Sequence, residues 1–371
     1  MTAKNDEHRD GETRRTRTLL ERRPLACAFL AALLILAGPA VAAAAPIEVR
    51  VVIVTTWEDE ANGQDRFGEL HAWRTRWPLT TELPFPLGVR PLLYDPHRHV
   101  LALLTGIATA RAAASVMALG ADPRFDLSHA YWIVAGIAGV DPKAASAGSA
   151  AWARWVVDGD LEQEIDPRDA PPAWPIGIIP NGRTAPYQPP TPPTHSAEGN
   201  VAYQLNSGLA DWAYERTRGI ALPDDAVLAK IRAPYGGQAA APPFVLEGDG
   251  LMSARFWYGP HMTQWAERWV PYWTGGKGVF AMSDEEDTGV MQGLAFCAHA
   301  GRASLDRVLI LRAGSDYTVG PPGMSAADFL AKETHEGFPA TPEALANLYL
   351  VASPVAAYLA DHWARTRDVI P

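Results

Sequence analysis

Two carboxylates in one stretch of chain are placed for work on a small polar ligand. Residues 278–316 begin GVFAMSDEEDTG, and within that run Glu286 opens a helical pattern. Ser283 reads as the N-cap, and Glu286, three residues on, completes a capping box. Val290, Leu294 and Cys297, with Met291, Ala295 and Ala298 beside them, recur at helical spacing to about Ala300, where Gly301 ends the helix. Arg307–Ala313 is a continuous apolar run of the kind found inside a parallel sheet. Gly314, Ser315 and Asp316 follow it at a strand's carboxyl end, where open α/β sheets collect ligands. One reading has Glu286 and Asp316 facing a shared ligand. The other has Glu286 only capping its helix and Asp316 only starting a turn.

The elements that must hold these groups are legible upstream. Ile47–Thr55 is a buried first strand that runs into Thr56-Trp57-Glu58-Asp59-Glu60. Leu101–Thr105 is a second, followed by a glycine turn at Gly106 and an alanine-rich helix over Ala110–Gly120. Tyr131–Ala135 repeats the scheme and enters a second glycine turn at Gly136, as in the βα units of a doubly wound sheet. Phe256, Trp257 and Tyr258 stand together, either as core packing or as a stacking wall for a flat ligand. Pro167–Pro193 is proline-dense and reads as a surface loop, Asn200–Arg218 regains helical spacing, and the tail reads as one or two closing helices. The histidines show no metal spacing, and neither a metal nor a cofactor is expected.

Composition narrows the function classes. The chain has 371 residues, of which 48% are apolar and 20% charged, enough for one large core or two modest ones. Its first 23 residues are rich in Arg, Leu25–Leu36 is apolar, and AVAAAAP follows, which is the pattern of an export signal. Cleavage is expected near Ala42–Ala45, removing residues 1–45 and delivering the remainder to the periplasm or the medium. Those residues include seven basic and five acidic side chains, so the rest carries 25 basic against 37 acidic. Such a surface argues against nucleic acid or an anionic membrane as partner. Beyond the signal no run approaches the length of a membrane span. Cys27 leaves with the signal, so Cys297 is alone, and its place on an apolar helix face makes it a poor nucleophile.

From about Ile47 to the C-terminal helix, the chain resembles the purine nucleoside permease family. TGIATARAAASVMALG, FDLSHAYWIVAGIAGVDPKAASAGS and LRAGSD carry that resemblance. The family is similar, more distantly, to the nucleoside phosphorylases and nucleosidases. The likeness implies an α/β, three-layer nucleoside-phosphorylase-like fold with a central mixed, mostly parallel sheet. It implies a single domain over 46–371 with a proline-rich loop insertion at about 167–193. SDEED looks like the segment whose carboxylate holds the ribose hydroxyls, which gives that role to Glu286. Ser315 and Asp316 resemble the pair that meets the purine, Asp316 giving a proton to N7. MSARFWY resembles a pocket segment that puts Trp257 on the base with Tyr258 beside it, and TTWEDE places the water-activating glutamate at Glu60. Where phosphorylases hold phosphate with Arg and Ser, this chain has Val134 and Ile137, and Ala108 replaces a usual glycine.

Cleaving an N-glycosidic bond leaves positive charge on the ribose and negative charge on the departing purine. An acid at N7, a carboxylate at the sugar and a base for water each answer part of that need. The resemblance therefore implies an exported purine-nucleoside-binding protein linked to uptake and able to hydrolyse its ligand. A non-catalytic binding component of a transport system and a phosphate-dependent phosphorylase are the alternatives. It also leaves room for a homo-oligomer and for a separate transporter as partner.

Overall fold

The computed structural model describes residues 45–59, 67–189 and 200–371, so most of the expected export segment and Glu60 lie outside the described residues. A mixed sheet of 12 strands organises the remainder. In chain order its first six strands are β1 (Val51–Thr55), β2 (Thr81–Leu83), β3 (Leu92–Asp95), β4 (Val100–Leu104), β5 (Tyr131–Val140) and β6 (Ala150–Trp152). The others are β7 (Trp155–Asp158), β8 (Ala202–Gln204), β9 (Val245–Glu247), β10 (Asp249–Met252), β11 (Phe280–Asp284) and β12 (Val308–Tyr317). The main path runs β8-β7-β10-β11-β5-β1-β4-β3-β2, with β12 joined to β5 and β6, and β9 to β6. β4, β1, β5 and β12 are mutually parallel, and their uninterrupted apolar runs follow from being covered on both faces.

Alternate residues of these strands feed two separate cores, as the period of two requires. Val51, Ile53, Ile133, Leu309 and Leu311 pack with helices α1 (Glu69–Arg76), α3 (Ser207–Thr217) and α8 (Thr341–Asp361). Val52, Val54, Trp132, Val308 and Ile310 pack with α2 (Thr109–Ala121) and α6 (Asp287–His299). The result is the expected three-layer α/β arrangement. A smaller core seats α5 (Pro260–Trp273) on Trp155, Val157 and Phe280; in sequence α4 (Ala226–Arg232) comes between α3 and α5, and α7 (Ala326–Glu336) between β12 and α8. α8 is long and apolar enough to cross a membrane, but Val351, Val355 and Leu359 on it are fully buried in the first core. Cys297 is buried on α6 against α2, where a Cβ at Gly120 would meet its Sγ at 2.1 Å.

Several local expectations change. The segment 47–55 is two strands, its first two residues pairing with Phe125–Asp126 instead of joining the main sheet. Gly136 is not a turn: β5 continues through it to Val140, and no helix follows. Gly314, Ser315 and Asp316 lie inside β12, with a shift of register between Gly314 and Asp316, and not beyond its end. The proline-rich segment is not wholly irregular, because Ile178–Pro180 pairs antiparallel with Glu162–Glu164. Asn200–Arg218 starts with the edge strand β8 before its helix.

Candidate functional site

The site lies where the two halves of the sheet meet end to end along β5. β1 pairs with the first part of β5, as far as Val54 opposite Val134, and runs parallel to it. β11 pairs with its last part, Ser283 opposite Gly139, and runs antiparallel. The carboxyl ends of β1 and β11 therefore point at each other across the short stretch Ala135–Ala138 of β5. Along that stretch this edge of β5 has no strand partner among the described residues, so its main-chain groups need others. The Ile137 N–H donates to Glu69 Oε1 at 2.8 Å, and the Ile137 carbonyl accepts from Arg312 Nη1 at 3.0 Å. A cavity of about 420 Å³ opens over this junction, lined by Glu69, Ile137–Gly139, Asp284–Glu286, Ser315 and Asp316 among others.

Arg312 anchors the acidic side. It stands on β12 opposite Gly136 and passes over that glycine, where a Cβ would come within 2.4 Å of its Nη1. Close approach is the reason for glycine here. The guanidinium is almost wholly buried and meets Glu286 Oε2 at 3.1 Å, Asp284 Oδ1 at 3.3 Å and Asp287 Oδ1 at 2.5 Å. Burial and its neighbour Asp287 raise the Asp284 carboxyl well above the usual range, with Arg312 opposing. Asp284 also caps α6, its Oδ1 accepting from the N–H groups of Glu286 (3.0 Å) and Asp287 (2.9 Å). The capping box from Ser283 to Glu286 is thus not formed: Ser283 sits in β11, and Glu286 makes no side-chain cap. Released from that duty, Glu286 turns to the cavity and accepts the Ala108 N–H through Oε1 at 3.2 Å. Ala108 does so at φ 74°, a left-handed conformation that the glycine turn at Gly106 (φ 83°) leads into. A non-glycine residue held there stores about 1–3 kcal/mol of strain, of the sort that collects at functional sites.

Asp316 faces the same cavity from β12. It is 6% exposed, and Ser315 donates its hydroxyl to Asp316 Oδ1 at 2.7 Å and lies 3.3 Å from the Ala138 carbonyl. Burial pushes the Asp316 carboxyl up to about 7, against the opposing Ser315 hydrogen bond. Glu285 on the cavity wall is likewise raised to about 7 by burial and by Glu286. A carboxyl that keeps a proton near neutral pH is equipped to give it away.

The aromatic cluster divides. Trp257 lines the cavity with its body against Trp265 and Phe280, and its indole N–H is buried without a partner among the described residues. Phe256 lines the mouth, half exposed and stacked on Phe338 at 5.6 Å. Tyr258 is not on the cavity wall; its ring packs edge-on against Phe329, and Glu333 is its hydrogen-bond partner. Gly106 serves the turn after β4, while its neighbour Ile107 lines the cavity.

Two groups that build the site, Arg312 behind the acidic wall and Glu69 on the cavity itself, are given no role by the motifs. Arg312 passed as the end of an apolar strand, although an arginine inside such a run is itself a signal that a buried counter-charge awaits it. Glu69 follows Gly68 in a segment without periodicity, and no local pattern marks it.

A family model described as purine nucleoside permease (NUP) matches residues 48–370. A Schizosaccharomyces pombe protein named a probable purine nucleoside permease is 30% identical over 270 residues, 71% of this chain and 76% of that one. A purine nucleoside permease of Candida albicans is 28% identical over 308 residues, 80% of this chain and 73% of that one. Among solved structures, a 5'-methylthioadenosine/S-adenosylhomocysteine nucleosidase from Colwellia psychrerythraea in complex with adenine is similar over 84% of this chain and 96% of that one, at 13% identity and TM-score 0.49. The corresponding Neisseria meningitidis nucleosidase is similar over 83% and 99%, at 14% identity and TM-score 0.47. With a family match over residues 48–370, most of its length, the chain belongs to the purine nucleoside permease family.

Proposed function

We propose that this protein is exported, binds a purine nucleoside in the cavity at the β1–β11 junction, and hydrolyses its N-glycosidic bond. The observation that carries this reading is Asp316: a buried carboxyl held near 7 in the same cavity as the fixed carboxylate of Glu286. Trp257 stacks on the base, and Glu286 receives the ribose hydroxyls. As the bond from C1' to N9 breaks, its electron pair moves onto the purine, and Asp316 delivers its proton to N7. The water oxygen bonds to C1' and gives up a proton to a carboxylate base, the role that the resemblance assigns to Glu60. Glu286 stabilises the positive charge that grows on the sugar. In nucleoside uptake the protein acts outside the membrane, beside a separate transporter.

The test is incubation of the purified protein from residue 46 onward with inosine, adenosine or guanosine, with and without inorganic phosphate. Free base in both conditions is the expected result. Base released only with phosphate would make it a phosphorylase, and tight binding without product would make it a binding component. Export is checked by N-terminal sequencing of the protein from periplasm or medium; a retained Met1 in a soluble cytoplasmic pool overturns it.

A further inference from the structure

Glu69 is held in an unusual way for a cavity carboxylate. It is 1% exposed, yet it lines the cavity. Its Oε2 accepts the Thr56 N–H at 2.5 Å, the Thr56 hydroxyl at 3.1 Å and the Trp57 N–H at 3.1 Å. Its Oε1 accepts the Ile137 N–H at 2.8 Å. Three main-chain N–H groups and one hydroxyl thus converge on one anionic group, and they come from the segment just after β1 and from the interior of β5. The Arg312 guanidinium supplies a positive charge beside it: a Cβ at Gly136 would lie 2.4 Å from Arg312 Nη1 and 3.0 Å from Glu69 Oε1. Convergent backbone N–H groups beside a guanidinium form a concavity that binds oxyanions in general.

We propose that Glu69 is a built-in oxyanion: its carboxylate fills an N–H cradle that would otherwise admit inorganic phosphate, and so leaves water as the acceptor. This rests on the glycoside-cleaving reading of the same cavity and explains why that cleavage runs without phosphate. In either reaction the bond from C1' to the purine breaks toward the base. What Glu69 decides is whether the new bond to C1' comes from a phosphate oxygen or from water. The backbone supports that choice, since three of the four cradle donors are main-chain groups that no side-chain change elsewhere removes. Burial, and then the neighbouring Glu286, raise the Glu69 carboxyl to about 7, with Arg312 and the Thr56 and Ile137 N–H groups opposing, so the charged form prevails as pH rises above that value.

The experiment removes the carboxylate and offers replacements. Glu69→Ala and Glu69→Gln are compared with wild type by thermal melting and calorimetric titration, using inorganic phosphate and acetate separately at pH 7.5. Glu69→Ala is expected to bind both anions and to gain roughly 2–4 °C at about 50 mM for a millimolar site. Wild type and Glu69→Gln, whose cradle stays filled, should move by less than about 1 °C under the same conditions. A folded Glu69→Ala that ignores both anions overturns the proposal. So does a wild type that binds phosphate as tightly as the variant. A response to acetate alone also overturns it, because phosphate is then excluded by size and not by Glu69. If Glu69→Ala does not fold by itself, either anion should restore it, and failure of both to do so counts against the cradle. Nucleoside turnover is not the readout, so an inactive wild type would end the hydrolysis reading while the anion titration still decides the role of Glu69.

Discussion

Replacing Arg312 with Met removes the one guanidinium that meets Asp284, Glu286 and Asp287, and leaves those carboxylates buried without it. Breaking a buried ion pair from one side costs about 3–5 kcal/mol. The structure sets a ceiling on that cost, because a buried carboxylate takes up a proton sooner than bear a larger penalty. Moving one carboxyl from an ordinary value near 4 to full protonation at pH 7 costs about 4 kcal/mol, and at pH 5 only about 1.4 kcal/mol. One proton replaces one guanidinium charge, so a single such step suffices. The sign follows from proton counts: the folded variant binds more protons than its unfolded chain, so its stability falls as pH rises. The deficit against wild type is therefore largest at pH 7 and shrinks toward pH 5. At about 1.5 °C per kcal/mol for a chain of this length, Tm should drop by about 6 °C at pH 7 and about 2 °C at pH 5. Thermal melts of wild type, Arg312→Met and Arg312→Lys at both pH values check this, with Lys intermediate because it keeps charge but not the planar fork. A drop under about 1 °C at pH 7, or an equal drop at both values, would refute the idea that Arg312 neutralises this cluster.

Asp316→Asn should bind nucleoside nearly normally and lose about 10²–10⁴ in turnover, read by single-turnover kinetics. Because burial holds the Asp316 carboxyl near 7, wild-type turnover should fall as pH rises through that value; a rate flat from pH 6 to 8 refutes Asp316 as the acid. Trp257→Ala should weaken nucleoside binding by about 1–3 kcal/mol, roughly tenfold or more, in a calorimetric titration; unchanged affinity in a folded variant removes it from the base site. Gly136→Ala would set a Cβ 2.4 Å from Arg312 Nη1 and should cost about 1–3 kcal/mol of stability, measured by urea unfolding. Stability within about 0.5 kcal/mol of wild type would mean that the guanidinium is free to move aside.

The layers of the fold were legible because they depend on local periodicity. Ile47–Thr55 and Leu101–Thr105 read as strands and hold the fully buried β1 and β4 to within a few residues, and the helical spacing from Val290 to Cys297 placed α6. Boundaries failed where tertiary partners override local chemistry. Gly136 reads as a turn because glycine most often ends a strand, yet here it is kept for the crossing of an arginine from the neighbouring strand. Ser283 reads as a cap because serine is a good one. Asp284, one residue later, takes the position because its carboxylate reaches both the α6 N–H groups and Arg312.

The same distinction separates the site residues that motif reading finds from those that it misses. Glu286 and Asp316 belong to short conspicuous segments, SDEED and LRAGSD, whose residue types already state a chemistry. Tyr258 belongs to an equally conspicuous cluster, but whether an aromatic faces a cavity or a helix depends on one rotation of the chain, and it faces Phe329. Glu69 lies at the far extreme. Its role exists only because β1 stops at Thr55 and β11 ends at Asp284 while β5 runs on between them. That gap leaves the Ile137 N–H without a strand partner, and the segment after β1 turns its own N–H groups of Thr56 and Trp57 toward the same point. No window of sequence contains this arrangement, since it is set by the register of three strands. A carboxylate arriving from α1 meets donors that the backbone had already aimed, which is why its position is fixed by the fold more than by its own neighbours in the chain.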